Sequence, residues 1–431
     1  MSTSDITALT LAQAADEIRT QRLSPVELTE ACLDKITNED QRINSFNALF
    51  VLESLESALK AEKEIKKGKY RGPLHGIPVA VKDLIDIKDQ PTTAASRIFN
   101  HNTATEDAAV VKRLRKAGAV IVGKNNLHEF AYGGSGYISA FGPVRNPRDP
   151  NRITGGSSSG SAAAVAAHFC FASIGTDTAG SIRLPAACCG IIGLKPAFGR
   201  VSTEGVVPLS WSYDHVGPLA RTPQDAALVL EAISDWKPNP VDVRNLRVGI
   251  AREFFWNDIN DNVNTAVSHA IESLAPKVAS VREVSIPIDE DRTVSSSESW
   301  AFHKDWSQQK PDRYDPRTLA RIRSGERYTP DEISTKREQL KKLRASAAGF
   351  FQDVDVILTP TSPILPPTFS ELESDPDSLR PLELLMLRNT RPWNVLGVPA
   401  ISVPCGDMIG LQIAGMDEDS VLAVASACFP Y

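Results

Sequence analysis

Residues 76–124 alternate between two kinds of hydrophobic pattern, and that alternation restricts the fold more than any other feature of the chain. GIPVAVKD (76–83) is a short apolar run closed by a charged pair, and AVIVGK (119–124) is a second such run. Continuous Val/Ile-rich runs of this length suit strands buried on both faces. Between them, EDAAVVKRLRKAG (106–118) spaces its apolar residues as one face of a helix and ends at a glycine, the usual helix stop. Strand, helix, strand with both strands apolar throughout predicts an α/β fold. The expected architecture is one large domain around a central mixed, largely parallel sheet flanked by helices.

The same alphabet continues in both directions. LSPVELTEACLDKI (23–36) offers a helix start, with Ser24 as cap, Pro25 in the first turn and Glu27 completing a capping box. A strand-like FNALFV (46–51) and a charged helix over about 52–67 follow. Further on come LRVGIA (246–251), a helix near 262–275, and the strands DVILTP (355–360), PAISVP (399–404) and GLQIAG (410–415). The predicted organisation within a single domain, 1–431, is N-terminal helices over about 1–70 and a core over about 71–235. A polar, peripheral helical segment over about 286–350 and C-terminal core strands over about 353–431 complete it. No repeat of 20–50 residues is visible, which argues against solenoids and propellers.

Composition narrows the partners. The formal net charge is −6 and no basic block stands out, so neither nucleic acid nor an anionic membrane surface is expected as a partner. The densest cationic stretch, KAEKEIKKGKYR (60–71), reads as the exposed end of a helix. No apolar run approaches the roughly 18 residues a membrane span requires, and the first residues show no basic segment leading into an apolar core. The six cysteines, at 32, 170, 188, 189, 405 and 428, lack the spacing of metal ligands or of a disulfide framework. Cys188 and Cys189 sit in LPAACCGIIG, a context for small buried side chains. A reducing, cytoplasmic location is the expectation.

Three segments place a reactive side chain at a strand end or in a tight turn of small residues: GIPVAVKD with Lys82, GGSSSGS with Ser157, and GTDTAGSIR with Ser181. In the third, small residues let backbone N–H groups approach a ligand closely. Such a nest suits an anion, either a phosphate or the oxyanion of acyl transfer. A serine directly after the nest favours acyl transfer, and the loop lacks the Gly-Lys-Ser/Thr ending of a phosphate-binding P-loop. A serine nucleophile needs a base. Of the seven histidines none lies in a recognisable triad segment, and His168 and His215 read as structural. Lys82 is the other candidate. An ordinary lysine has a pKa of about 10.4, which burial lowers by disfavouring the charged form. The residues alone leave open an ion pair between Lys82 and Asp83 or Asp86.

Taken together these segments resemble the amidase signature family of serine hydrolases. The resemblance runs from GPLHGIPVAVKD (72–83) through AGAVIVGKNNLHEFAYGG (117–134) and NPRDPNRITGGSSSGSAAAVAA (146–167). It continues in GTDTAGSIRLPAACCGIIGLKPAFGRVSTEGVVPLS (175–210) and DHVGPLARTPQDAALVL (214–230), with later echoes in LTPTSP and NVLGVPAISVPCG. The intervals from Lys82 to Ser157 and from Ser157 to Ser181 are those of the family. The resemblance implies Ser181 as nucleophile and Lys82 as neutral base, with Ser157 bridging them through a cis peptide with Gly156. It further implies an oxyanion hole from the N–H groups of Thr178, Ala179, Gly180 and Ser181, a hydrogen bond from Ser158 to Lys82, and Asp177 and Arg183 as braces of the loop. Ala131, Tyr132 and Gly133 would line the acyl pocket, and Tyr132 suggests room for a flat or apolar acyl group. Neither metal nor organic cofactor is implied.

The chain departs from the family at Ser159 and Ala179, where glycine is usual. Alanine at 179 is tolerable where φ stays negative. CGDMIG (405–410) is a shorter connection than usual, from which a reduced rim at that side of the site is expected. Within the family, SSESWAFHKDWSQQKPDRYDPRTLARIRSGERYTPDEI (296–333) looks like the stand-alone amidases. The expected reaction is hydrolysis of a small-molecule carboxylic amide to the acid and ammonia or an amine. The alternatives are the glutaminase subunit of a tRNA-dependent amidotransferase, an allophanate- or carboxybiuret-type hydrolase of urea derivatives, or an idle structural partner. A homodimer is left open.

Overall fold

A computed structural model describes residues 3–429. Its strands are β1 (Phe46–Leu49), β2 (Pro78–Lys82), β3 (Val120–Asn125), β4 (Ala172–Asp177), β5 (Ile192–Lys195) and β6 (His215–Ala220). They continue with β7 (Arg247–Ile250), β8 (Ser280–Glu283), β9 (Val356–Pro360), β10 (Ala400–Gly406) and β11 (Ile409–Gly415). All belong to one sheet, in the order β1-β3-β2-β4-β6-β5-β10-β11-β9-β7-β8. The fold is a single α/β domain with helices against the sheet. Among the described residues no helix is long and apolar enough to cross a membrane.

The sheet is mixed, but its parallel pairing is confined to two blocks, β3-β2-β4 and β9-β7-β8. The middle run β4-β6-β5-β10-β11-β9 is antiparallel, as is β1 on β3. A largely parallel sheet is therefore not what forms. β2, β4 and β6 are buried along their whole length, and a strand covered on both faces is apolar whichever way its neighbours run. Direction is decided by the connections, such as the tight β10–β11 hairpin, and these carry no hydrophobic periodicity.

Local chemistry explains where the helices begin and end. The helix Ala109–Ala117 stops at Gly118, which adopts a left-handed φ of 82° that glycine takes without a steric penalty. In the helix Pro25–Glu39, Ser24 accepts from the N–H groups of Val26 and Glu27. The expected capping box does not form, because the Glu27 side chain does not return to the Ser24 N–H; the Ser24 hydroxyl donates to Glu62 on the packed helix Val51–Lys66, at 2.7 Å.

The Gly/Ser/Ala stretch forms the helix Ser159–Ala166, buried through Val165. A Cβ on Gly160 would lie 2.3 Å from the Ser45 carbonyl and 2.6 Å from that of Asn126, so only glycine lets the helix approach those backbones. The segment expected to be peripheral forms the helices Thr293–Gln309, Pro316–Arg323 and Pro330–Ala345. It is tied to the core by buried polar contacts: Glu298 accepts from both Ser210 and Ser212, and Arg321 donates to the Tyr132 carbonyl at 2.6 Å.

Candidate active site

β2 and β4 are parallel neighbours, with Val81 opposite Ile174, so their carboxyl ends emerge side by side. Lys82 ends β2, and the loop 178–181 follows β4. This register brings two of the three candidate segments together. β6 runs antiparallel to β4, pairing Asp177 with His215, and so delivers Asp214 to the same end.

Lys82 is fully buried, and its Nζ lies 2.7 Å from Ser157 Oγ and 2.9 Å from Thr176 Oγ1. Neither Asp83 nor Asp86 pairs with it. Asp83 turns toward Thr93, Asn47 and Lys124, the last at 3.6 Å, because successive strand residues face opposite sides of the sheet. Burial lowers the Lys82 pKa from the ordinary lysine value to about 7, against the opposing pull of Asp177 and then Asp214. The second hydroxyl on Lys82 is that of Thr176, not Ser158. Ser158 Oγ instead donates to the Thr176 carbonyl at 3.2 Å and accepts from its N–H at 3.3 Å. The side chain is thereby occupied by the β4 backbone and does not reach the amine.

The peptide between Gly156 and Ser157 is cis. Ser157 is buried, and Ser158 N–H donates to the Ser181 carbonyl at 3.2 Å, tying this segment to the loop after β4. Ser181 is buried, with 4% of its surface exposed, and lines a pocket. Its hydroxyl makes no hydrogen bond among the described residues, and the Ser157–Ser181 link is not closed in this structure. Such links are often long before substrate binds.

Asp177 and Arg183 organise the loop. Arg183, wholly buried, donates from Nε to Asp177 Oδ2 at 3.0 Å and from Nη2 to Oδ1 at 2.9 Å. It also reaches Gln412, Asn394 and the Thr390 carbonyl. Against the effect of burial, Arg183 and the surrounding donors hold the Asp177 carboxyl well below the usual range. Asp177 Oδ1 accepts the Gly180 N–H at 2.7 Å, and Oδ2 accepts that of Ile182 at 3.2 Å. The Gly180 N–H is thus spent on Asp177 and is withdrawn from the expected set of oxyanion donors. The carbonyl of the same peptide, that of Ala179, accepts from Thr390 Oγ1 at 2.6 Å, so this peptide plane is fixed at both ends. The N–H groups of Thr178, Ala179 and Ser181 donate to no protein acceptor among the described residues. Gly180 takes the positive φ of 132°, and Ala179 is not among the residues at positive φ, so the methyl at 179 sits on unstrained backbone.

The pocket in front of Ser181 is walled by Ala131, Tyr132 and Gly133 on one side and Thr178 and Ala179 on another. Leu209, Tyr213 and Leu387 add apolar surface. Three guanidinium-bearing residues, Arg292, Arg380 and Arg391, complete it with Ser295. None of these polar residues is marked by a motif: each stands in an ordinary helical or turn sequence. Thr176, the second partner of Lys82, lies inside GTDTAGSIR but looks like any strand threonine. Residues 405–410 close the β10–β11 hairpin and are not part of the lining. His215 turns its Nδ1 to the carbonyls of Tyr213 and Asp177, at 2.7 and 3.1 Å, and His168 faces that of Thr7; neither meets Ser181. Ser159 Oγ is buried without a partner among the described residues, and nothing in the structure explains the serine there.

The amidase family model matches residues 27–421. An amidase of Pseudomonas putida is 36% identical over 428 residues, covering 94% of this chain and 90% of that protein. A subunit of the glutamyl-tRNA(Gln) amidotransferase of Koribacter versatilis is 34% identical, with 98% of each chain covered. A crystal structure of an amidase superimposes with a TM-score of 0.89 at 33% identity, covering 97% of this chain and 99% of that one.

Proposed function

The chain belongs to the amidase family and is an amide-hydrolysing enzyme, and from that premise we propose that it acts alone through an acyl-enzyme on Ser181. One observation carries the reading. Lys82 is sealed from solvent, lies 2.7 Å from a serine hydroxyl, and has a pKa brought down to about 7 by burial. A lysine so placed is partly neutral at physiological pH and is competent as a base.

As a neutral amine, Lys82 donates to Thr176 and accepts the Ser157 proton. Ser157 in turn accepts the proton of Ser181 as its Oγ attacks the amide carbonyl. A serine is suited to this position because its hydroxyl donates and accepts at once. The negative oxygen of the tetrahedral intermediate is received by the N–H groups of Thr178, Ala179 and Ser181, which have no protein acceptor among the described residues. Collapse expels the amine, which takes the proton back along the same path. Water then attacks the ester by the reverse relay, releasing the acid and restoring Ser181.

The glutaminase reading draws on the likeness to the Koribacter versatilis amidotransferase chain. Glutamine as substrate would bring an α-ammonium into the pocket, and among the described lining residues there is no carboxylate to receive it. That favours the stand-alone reading. Ser181→Ala is expected to keep the fold and lose all amide hydrolysis, and a fluorophosphonate is expected to label Ser181. Unimpaired turnover by Ser181→Ala would overturn the assignment. Glutaminase activity that appeared only with a partner protein and tRNA present would transfer the enzyme to the other branch.

A further inference from the structure

The lining in front of Ser181 contains three arginines and no acidic residue among those described, and the arginines are not equivalent. Arg391 is buried and already donates to the carbonyls of Asp289 and Asp291. Arg380 lies 3.5 Å from Glu383, but that carboxylate is closer to Arg321, at 2.8 Å, and also accepts from Ser135. One negative charge is thus shared between two guanidinium groups. Arg292 is different: its side chain has no hydrogen-bond or ion-pair partner among the described residues. Burial, then the positive charges of Arg391 and Arg380, lower its pKa from the usual arginine value to about 10, outweighing the opposing pull of Tyr132 and Glu290. A guanidinium held this way beside two others is a charge awaiting a counter-ion. Asp289 and Glu290 line a neighbouring cleft that shares Arg292 and Arg391 but does not include Ser181.

We propose that the substrate is a short amide carrying a carboxylate, and that Arg292, assisted by Arg380 and Arg391, receives this carboxylate while the amide carbonyl meets Ser181. This rests on the acyl-enzyme reading above. A planar guanidinium matches a carboxylate with two parallel N–H···O bonds and fixes its orientation. The absence of a lining acid selects against amides that carry an ammonium group, such as amino-acid amides, and the apolar wall of Leu209, Tyr213 and Leu387 fits the methylenes between anion and amide. The preference for a flat or apolar acyl group suggested by Tyr132 alone is thereby revised: the apolar portion is a spacer, and the far end is anionic.

The test compares malonamate and succinamate with their uncharged counterparts malonamide and butyramide. For the native enzyme kcat/KM is expected to favour the anionic member of each pair. In Arg292→Gln that preference is expected to fall about 10- to 100-fold, the effect of losing a charge-assisted pair, with Arg292→Lys in between because it keeps the charge but not the fork. Calorimetric titration of Ser181→Ala with succinamate and butyramide asks the same question without turnover: tighter binding of succinamate, lost in Ser181→Ala/Arg292→Gln, supports the site. Equal use and equal binding of anion and neutral amide, or equal losses on both in Arg292→Gln, would overturn it. Fluorophosphonate labelling separates the two ideas. A labelled Ser181 with no anion preference leaves the acyl-enzyme reading intact and removes only the carboxylate site, whereas an unlabelled Ser181 strikes at the reading beneath it.

Discussion

Lys82 Nζ and Ser157 Oγ meet at 2.7 Å although 75 residues separate them in the chain, and both side chains are buried. The contact is made by a strand end and a helix-leading turn, so it is held by the sheet rather than by either segment alone. Since Lys82 must be neutral to act as a base, and burial brings its pKa to about 7, kcat/KM is expected to rise with pH through about 7 and then level. Lys82→Met is expected to lose about 10²- to 10⁴-fold in kcat/KM, the usual weight of a general base, together with that acid limb. A pH–rate profile of both proteins measures it.

The same displacement affects stability with a definite sign. Unfolded, Lys82 keeps its proton up to about pH 10.4; folded, it releases it near pH 7. Between those values the unfolded chain binds more protons, so this residue makes stability rise with pH across the window. Below about pH 7 both states are protonated and the cost of the buried charge is present in full. The stability difference between Lys82→Met and the native protein, followed by urea unfolding from pH 6 to 10, is expected to shrink as pH rises.

Thr176 takes the place beside Lys82 that the family resemblance suggests for Ser158. Thr176→Val removes an acceptor that favours the ammonium form of Lys82, so the acid limb is expected to move to lower pH with about a tenfold loss in kcat/KM, consistent with one lost hydrogen bond. Ser158→Ala removes bonds to the β4 backbone and is expected to cost about 1 kcal/mol of stability while leaving the limb in place. Matched pH profiles distinguish the two.

A Cβ on Gly180 would stand 2.0 Å from Thr390 Oγ1, at a φ of 132°. Gly180→Ala is therefore expected to displace the loop and abolish activity, with a measurable fall in thermal stability. Ala179→Gly, one residue away on ordinary backbone, is expected to retain the fold and most of the activity. Assay and melting temperature together report both outcomes.

Asp177→Ala would strand the wholly buried guanidinium of Arg183. Breaking a buried pair in this way costs about 3–5 kcal/mol, and urea unfolding is expected to show a loss of that order. Asp177→Asn, whose single amide oxygen can still accept from the Gly180 N–H and from Arg183 Nη2, is expected to lose less.

Much of this molecule is legible in its sequence. The apolar runs around Val79, Val122 and Ile357 announce buried strands because little else in a globular chain needs so continuous a run, and Gly118 announces a helix end because glycine takes positive φ freely. Lys82, Ser157 and Ser181 can be singled out because reactive residues at strand ends and in turns of small residues are local features. What the sequence could not decide was whatever depends on which segments become neighbours. Strand direction in the middle of the sheet is invisible when both faces are covered. Whether Lys82 faces Asp83 or Ser157, and whether its second partner is Ser158 or Thr176, depends on side-chain direction across paired strands. The Gly180 N–H was lost from the oxyanion set only because Asp177 folds back on it. Arg292, Arg380 and Arg391 come from two distant parts of the chain and acquire meaning only where folding sets them, without enough counter-charge, before the same serine. Local propensity is written residue by residue, but burial and charge balance belong to the assembled neighbourhood, and it is those that set the pKa of Lys82 and the character of the pocket.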